Sequence, residues 1–299
     1  MRKKMYKFRC LPISDQIAYI CIYALLLALI LITLYPLFFV LCASFLEPVS
    51  LQTDGINFNS GNMTLYGYKQ VLSNPMILRG FFNSILYSFS YATLQVVLCM
   101  TFAYPLTQKK LKGRKFLSGL MIFTMFFGGG LIPTYLLIKN IGMLDTPWAV
   151  VIPTAFSVWN VILARTFING IPNELDEASK IDGTSHFQYF FKILIPLSKP
   201  RMMVIFLYAF VSQWNSYFDA MIYIDNDKLQ PLQLVLRQIL VQNDMGATSN
   251  YTLQQDMAQL AQMAATVKYS VIVISSLPLL VLYPFFQKYF DIGVMLGSL

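Results

Sequence analysis

Apolar residues gather into six long runs, at roughly 17–45, 81–107, 116–138, 147–169, 201–224 and 269–290. A helix needs about 20 mostly apolar residues to cross the hydrocarbon of a bilayer, and each run is that long. The pattern predicts an all-α integral membrane protein with six transmembrane helices packed as a bundle. Prolines punctuate the runs at Pro36, Pro105, Pro133, Pro153, Pro278 and Pro284. Within a membrane such breaks are tolerated, because neighbouring helices satisfy the freed backbone groups. Two long polar stretches, 46–80 and 225–268, separate runs. The second carries Asp225, Asp227, Asp244 and Asp256 and has room for a short helix near 230–242. No internal repeat or low-complexity segment is visible.

Composition agrees with this pattern. Of 299 residues, 57% are hydrophobic and 12% charged, against about 25% charged in soluble domains. The net charge of +8 then reports orientation rather than nucleic acid as a partner. Arg2, Lys3, Lys4, Lys7 and Arg9 precede the first run. Lys109, Lys110, Lys112, Arg114 and Lys115 lie between the second and third. Lys180, Lys192, Lys199 and Arg201 lie between the fourth and fifth, with Arg165 nearby. With six spans these loops share one side, and the positive-inside rule makes that side, with both termini, cytoplasmic. The basic N-terminus before an apolar run suggests a signal peptide. The run 17–45 is too long for a cleaved apolar region of roughly 7–15 residues, so it is read as a retained helix. Cys10, Cys21, Cys42 and Cys99 show no paired spacing, which points to packing roles, with no metal site and no disulfide framework.

One segment breaks the apolar monotony. NELDEASKIDGTSHFQYFFKILIPLSKP, residues 173–200, holds four acids in its first ten residues, a central glycine and the only histidine. Pro172 ends the preceding element and Asn173 can cap a new helix. Glu174, Asp176 and Glu177 then fall where the helix dipole favours acids. Leu175, Ala178 and Ile181 share a face. Gly183 suits the left-handed position after a helix. Ser185 with Gln188 is a capping-box pattern, and Phe187, Phe190, Phe191 and Leu194 form an apolar stripe. Helix, glycine turn and amphipathic helix follow in order, ahead of the next span. Read alone, this is either a specialised surface unit or a solvated loop.

The segment resembles the EAA loop of ABC importer permeases. Glu177-Ala178-Ser179, Asp182-Gly183 and Ile193-Leu194-Ile195-Pro196 match that family's E-A-A, D-G and I-x-L-P elements in order and spacing. Ser179 replaces the second alanine and Ile195 a leucine. The stretches 126–153, 213–223 and 231–240 are similar to the maltose-type carbohydrate-uptake branch, in particular its LplC/YtcP-like subgroup. The resemblance implies a type I ABC importer permease fold: a cytoplasmic segment 1–16, then one six-helix domain 17–299 with coupling loop 172–200 and outer loops 46–80 and 225–268. It implies oligosaccharide import across the cell membrane of a Gram-positive bacterium. The implied partners are a second, different permease subunit, two cytosolic ATPase subunits and an extracellular solute-binding lipoprotein. It implies no cofactor on this chain, since ATP and Mg sit on the ATPase. The chain has no G-x-x-x-x-G-K-[ST] pattern, and the run of glycines 128–130 lacks the Lys-Ser/Thr of a phosphate loop.

Within the loop the resemblance points to Glu174, Asp176, Glu177, Ala178, Asp182, Gly183 and Phe187 as the ATPase-coupling set. Glu177 is the candidate for an ion pair with the ATPase. Asp182 has two open roles, coupling and local capping, and His186 reads as a packing or surface residue. Polar residues inside spans are costly and face a cavity or another helix. On that ground Asn83, Asn160, Gln213, Trp214, Asn215, Tyr217 and Asp219 are candidates for the sugar pathway, with interhelical hydrogen bonding as the alternative for each. Asn215 and Asp219, four apart, would share a helix face. The polar piece 242–255 is placed either against the binding protein or as a plain loop.

Other classes fit less well. A secondary transporter would show a coupling-ion site and often paired inverted halves. A membrane enzyme would need convergent catalytic groups, and one histidine outside the spans supplies few. An amino-acid or peptide permease of the same superfamily is the nearer rival.

Overall fold

The computed structural model describes residues 12–46, 63–246 and 254–295. Helices account for nearly all of it. In order they are α1 (Ile13–Ala43), α2 (Tyr66–Ser73), α3 (Pro75–Thr107), α4 (Arg114–Phe126), α5 (Leu131–Asn140), α6 (Trp148–Val151), α7 (Val158–Asn169) and α8 (Asn173–Ile181). Then come α9 (His186–Trp214), α10 (Phe218–Tyr223), α11 (Leu232–Gly246) and α12 (Gln254–Met295). Among the described residues the sole β pairing is an isolated bridge, Leu46 to Met63.

The chain divides into two units, residues 1–71 with 246–274 and residues 72–245 with 275–299. In the first, α1 is apolar around its whole circumference, with a mean hydropathy of 2.8 over its best stretch. Only its last turn is buried, at Cys42 and Ala43. Phe39 meets Tyr269 edge-on, and the Ser270 hydroxyl donates to the Ser44 carbonyl at 3.3 Å. The Ser44 hydroxyl also shares a hydrogen bond of 2.7 Å with the Tyr68 hydroxyl.

The second unit is built on α3. Its core joins Val96, Cys99, Met100, Ala103, Tyr104 and Leu106 of α3 to Val161, Ala164 and Ile168 of α7 and to Tyr189, Leu194 and Ile205 of α9. Ala103 and Ala164 are fully buried. Small side chains let helix backbones approach where no water drives them together. A smaller cluster gathers Ile138, Ala149 and Tyr223.

The six expected spans are not six straight helices. Among the described residues four helices are long and apolar enough to cross a membrane: Ile13–Ala43, Pro75–Thr107, His186–Trp214 and Val267–Gln287. The run 116–138 is α4 and α5, bent by 107° at residues 127–130, and counts as a fifth if the pair is one span. Gly130 there has φ +82°, open to glycine but strained for other residues. The run 147–169 is not one span. It breaks after Val151, around Pro153, into α6 and α7. The fifth run begins 15 residues early: α9 starts at His186 and stops at Trp214, and α10 follows a break. Pro196 and Pro200 sit inside α9 without ending it. Residues 189–194 are wound as a π-helix, and the Ile195 amide reaches back to Phe190. Short π segments inside α-helices are a known accommodation to local irregularity.

One face of α3 organises the far end of this unit. The Asn83 side-chain amide donates to the carbonyls of Lys228 at 2.9 Å and Gln230 at 3.0 Å. The Tyr87 hydroxyl donates to the Leu229 carbonyl at 2.9 Å. The Leu232 amide, at the start of α11, donates to the Ser84 hydroxyl at 2.8 Å. Gly80, one turn earlier, lets α11 sit against α3: a Cβ there would meet the Leu232 Cα at 3.2 Å and a Val235 methyl at 3.3 Å.

Gly80→Ala is therefore expected to cost about 1–3 kcal/mol through overpacking, read as earlier thermal unfolding of the detergent-solubilised chain. Gly119→Ala, where an added Cβ meets nothing within 4 Å, is the matched control and should not lower the transition. Equal behaviour of the two would show that α11 is not seated on Gly80.

Candidate functional site

The segment 173–194 forms the helix–turn–helix unit its sequence predicts. α8 begins at Asn173, but the N-cap position belongs to Pro172, and no side chain caps it. Glu174 and Asp176 lie in its first turn and Lys180 in its last, each with the favourable sign for the helix dipole. Asp176 and Lys180 form an ion pair one turn apart. Ser179 is 5% exposed, and its hydroxyl donates to the Asp176 carbonyl at 2.8 Å. A serine in the second alanine position is thus satisfied within its own helix.

The turn is a Schellman arrangement. The Gly183 amide donates to the Lys180 carbonyl at 3.2 Å and the Thr184 amide to the Ser179 carbonyl at 3.0 Å. This motif needs a left-handed residue after the helix, and Gly183 supplies it with φ +73°. No atom lies within 4 Å of a Cβ placed there, so the glycine serves conformation, not close approach. Asp182 occupies the C-cap position through its backbone, and its side chain is exposed. Ser185 then closes a full capping box with Gln188, at 3.3 and 3.0 Å.

This unit is held at its ends and open along its length. At the exit, the Tyr104 hydroxyl and His186 Nδ1 share a hydrogen bond of 3.1 Å. The Tyr104 ring packs on Tyr189 and Phe190, with centroids 6.0 and 5.3 Å away. At the entry, the Arg201 guanidinium donates to the Phe167 carbonyl in the last turn of α7, at 2.6 Å. Between these clamps Glu174, Leu175, Glu177 and Ala178 are exposed. Ile181 is 87% and Phe187 78% exposed. A cavity of about 980 Å³ is lined by Tyr104, Gln108, Lys109, Asp176, Glu177 and Phe187 among others. Exposed carboxylates beside exposed large apolar side chains on a stiff support suit a docking surface. Tyr104 and Arg201 were missed as supports in the sequence. Only the bulk of the first and the charge of the second marked them.

The pathway candidates scatter. Asn83 is spent on the 228–230 backbone, as described above. Trp214 is 1% exposed; its ring stacks on Phe210 and meets Phe81 edge-on, and its Nε1 donates to the Ser275 carbonyl at 3.2 Å. Its burial and this bond between helices fit the alternative given for it, interhelical hydrogen bonding. Gln213 is 7% exposed. Asn160 is half-buried near the start of α7, and its backbone amide donates to the Ser157 hydroxyl. Asn215 is exposed, and its side-chain amide donates to the Val211 carbonyl at 2.9 Å. Asn215 and Asp219 do not share a helix face, since α9 ends at Trp214 and Asp219 belongs to α10. Tyr217 is 39% exposed, with the Arg237 guanidinium carbon 5.2 Å from its ring centroid. Of the stretch 242–255, residues 247–253 lie outside the described residues, as does the basic segment 1–11.

The chain is similar to known proteins over most of its length. A crystal structure of a bacterial ABC transporter involved in the import of the acidic polysaccharide alginate contains a chain that superposes with a TM-score of 0.82 and 28% identity, over 94% of this chain and 99% of that one. Protein LplC of Bacillus subtilis strain 168 is 39% identical over 89% of each chain. The polygalacturonan/rhamnogalacturonan transport system permease protein YtcP of the same strain is 34% identical over 93% of this chain and 96% of its own. The family model for the inner membrane component of binding-protein-dependent transport systems matches residues 8–295. With its apolar helices and a match over nearly its whole length, the chain belongs to the family of inner membrane components of binding-protein-dependent transport systems.

Proposed function

We propose that this chain is one permease subunit of an ATP-driven importer that takes up oligosaccharides handed over by an extracellular solute-binding protein. The observation that carries this reading is the exposed, clamped unit 173–194 on a chain that has no phosphate loop of its own. Energy must then arrive through a partner, and the unit is built to receive it. The side chains of Glu174, Leu175, Glu177, Ile181 and Phe187 are exposed, as those of a surface awaiting an ATPase subunit would be. The sugar class is supported by relatives whose names state polygalacturonan/rhamnogalacturonan and maltodextrin transport, and by the alginate importer. The rest of the proposed assembly is a second permease, two ATPase subunits that hold ATP and Mg, and a binding lipoprotein. In it the docking unit and both termini face the cytosol.

The mechanism is a lever. ATP closes the ATPase pair, and α8 moves with the cleft that holds it. Glu177 forms an ion pair with a basic residue of that cleft. Because Gly183 and the Ser185–Gln188 box fix the turn, motion of α8 is not absorbed locally. It passes through Tyr104 and His186 into α3 and α9, and through Arg201 into α7. The spans then rearrange around the sugar path. Catalysis stays on the ATPase, and this chain supplies the path and the coupling.

Two experiments separate docking from transmission. Glu177→Lys should reduce ATPase recovery at least about tenfold in a mild-detergent pull-down, since like charges meet at a buried contact, while the second permease still copurifies. Unchanged ATPase recovery would sink the docking role of α8. Arg201→Met strands the Phe167 carbonyl, at about 1–3 kcal/mol, and should behave differently. The ATPase still copurifies, but uptake per ATP hydrolysed falls in proteoliposomes containing the whole complex. If coupling stays at the wild-type ratio, Arg201 is not part of the lever.

A further inference from the structure

A second cluster of chemistry lies away from the docking unit. The Arg237 side chain of α11 is exposed. Its guanidinium carbon lies 5.2 Å above the Tyr217 ring, and its Nη1 is 2.7 Å from the Met221 sulfur. A thioether is a weak acceptor, and a ring face takes no strong hydrogen bond. Arg237 thus has its orientation fixed by two soft contacts while most of its five donors stay available. Among the described residues the single ion pair is Asp176–Lys180, so no described carboxylate neutralises Arg237. The position is itself fixed. Gly80 and Ser84 seat the first turn of α11 on α3, and Leu234, Val235 and Leu236, just ahead of the arginine, are buried.

A guanidinium pre-oriented on an aromatic face, with its edge open, fits a planar carboxylate in two-pronged fashion. An exposed tyrosine beside it offers apolar surface to a sugar ring. The flanking Asn215 is exposed too. We propose that Arg237, held by Tyr217 and Met221, forms a subsite for the carboxylate of a uronic-acid unit, so that the importer selects acidic oligosaccharides over neutral ones. This inference rests on the oligosaccharide reading above and narrows it. A lysine would serve poorly here, being a point charge that neither stacks as a plane nor binds in two prongs. The Tyr217 ring holds the guanidinium against the pull of water. The Met221 thioether, polarisable and uncharged, steadies it without competing for the anion.

The test uses cells carrying the complete importer and two labelled probes, trigalacturonate and its fully methyl-esterified, neutral counterpart. The wild type should take up the acid in preference to the ester. Arg237→Gln should lower acid uptake about tenfold, the usual scale of a lost charged hydrogen bond, and leave ester uptake unchanged. Arg237→Lys should recover part of the acid uptake, which shows that the site and not the fold was damaged. Equal loss for both probes, or no loss for either, overturns the subsite while leaving oligosaccharide import standing. Wild-type uptake of the ester in preference to the acid overturns it likewise. Wild-type uptake of neither probe overturns the subsite, and uptake of a labelled neutral maltodextrin by the same cells then decides the oligosaccharide reading.

Discussion

Backbone polar groups in an apolar surrounding must find partners inside the protein, and in the larger unit α3 supplies them. Positions 80, 84, 87 and 91 follow one another at helical spacing, with Asn83 beside them. From that stripe Asn83, Ser84 and Tyr87 serve the 228–232 segment. The Tyr91 hydroxyl donates to the Thr154 carbonyl at 3.0 Å, in the break between α6 and α7. Cys99 lies 4.0 Å from the Ser157 carbonyl in the same break. Tyr104, near the far end, meets His186. A span interrupted at Pro153 survives because an unbroken neighbour carries donors at the matching heights. Of the irregular pieces, α6 and the 227–229 turn rest on this helix, while α10 packs against α6 through Tyr223 and Ala149.

The same helix ties the two ends of function together. Its early turns seat α11 and with it Arg237. Its last turns clamp the start of α9, which continues from the docking unit. The two ends of the larger unit therefore share one continuous helix. Ala103 and Ala164 are fully buried where α3 meets α7, so the two helices pack closely.

How much of this the sequence disclosed depended on how local each signal was. Gly183, Ser185 with Gln188, and the acids of α8 act within a few residues of themselves, and their geometry follows from the order of residues alone. The apolar runs located the long helices for the same reason. Hydropathy cannot see a bend, so the glycines at 128–130 and Pro153 were visible as residues while their consequence, a 107° turn and a split span, was not. Pro196 and Pro200 sit inside α9, with the π-wound stretch just ahead of them. Side chains whose partners lie over a hundred residues away were the least legible. Asn83 looked like pathway lining because a polar residue in a span announces a need without naming what meets it. Trp214 stood among the same candidates, and its burial against Phe210 and Phe81 could not be read from the sequence. Arg237 carried no motif, and only the fold put it over Tyr217.

The π-wound stretch 189–194 also sets a rule of length. A helix turns by a set angle per residue, about 100° in the α form, so the residue count between the Ser185 cap and Pro196 sets how α8 is oriented about the helix axis. Tyr189 and Leu194 are buried while Phe187 and Phe191 project outward, and that division holds for this count alone. Substitution of an exposed residue here changes surface chemistry, whereas adding or removing one residue would turn α8 by roughly a quarter of a circle about the helix axis. The segment works as a gauge block: its identity is negotiable in places, but its length is not.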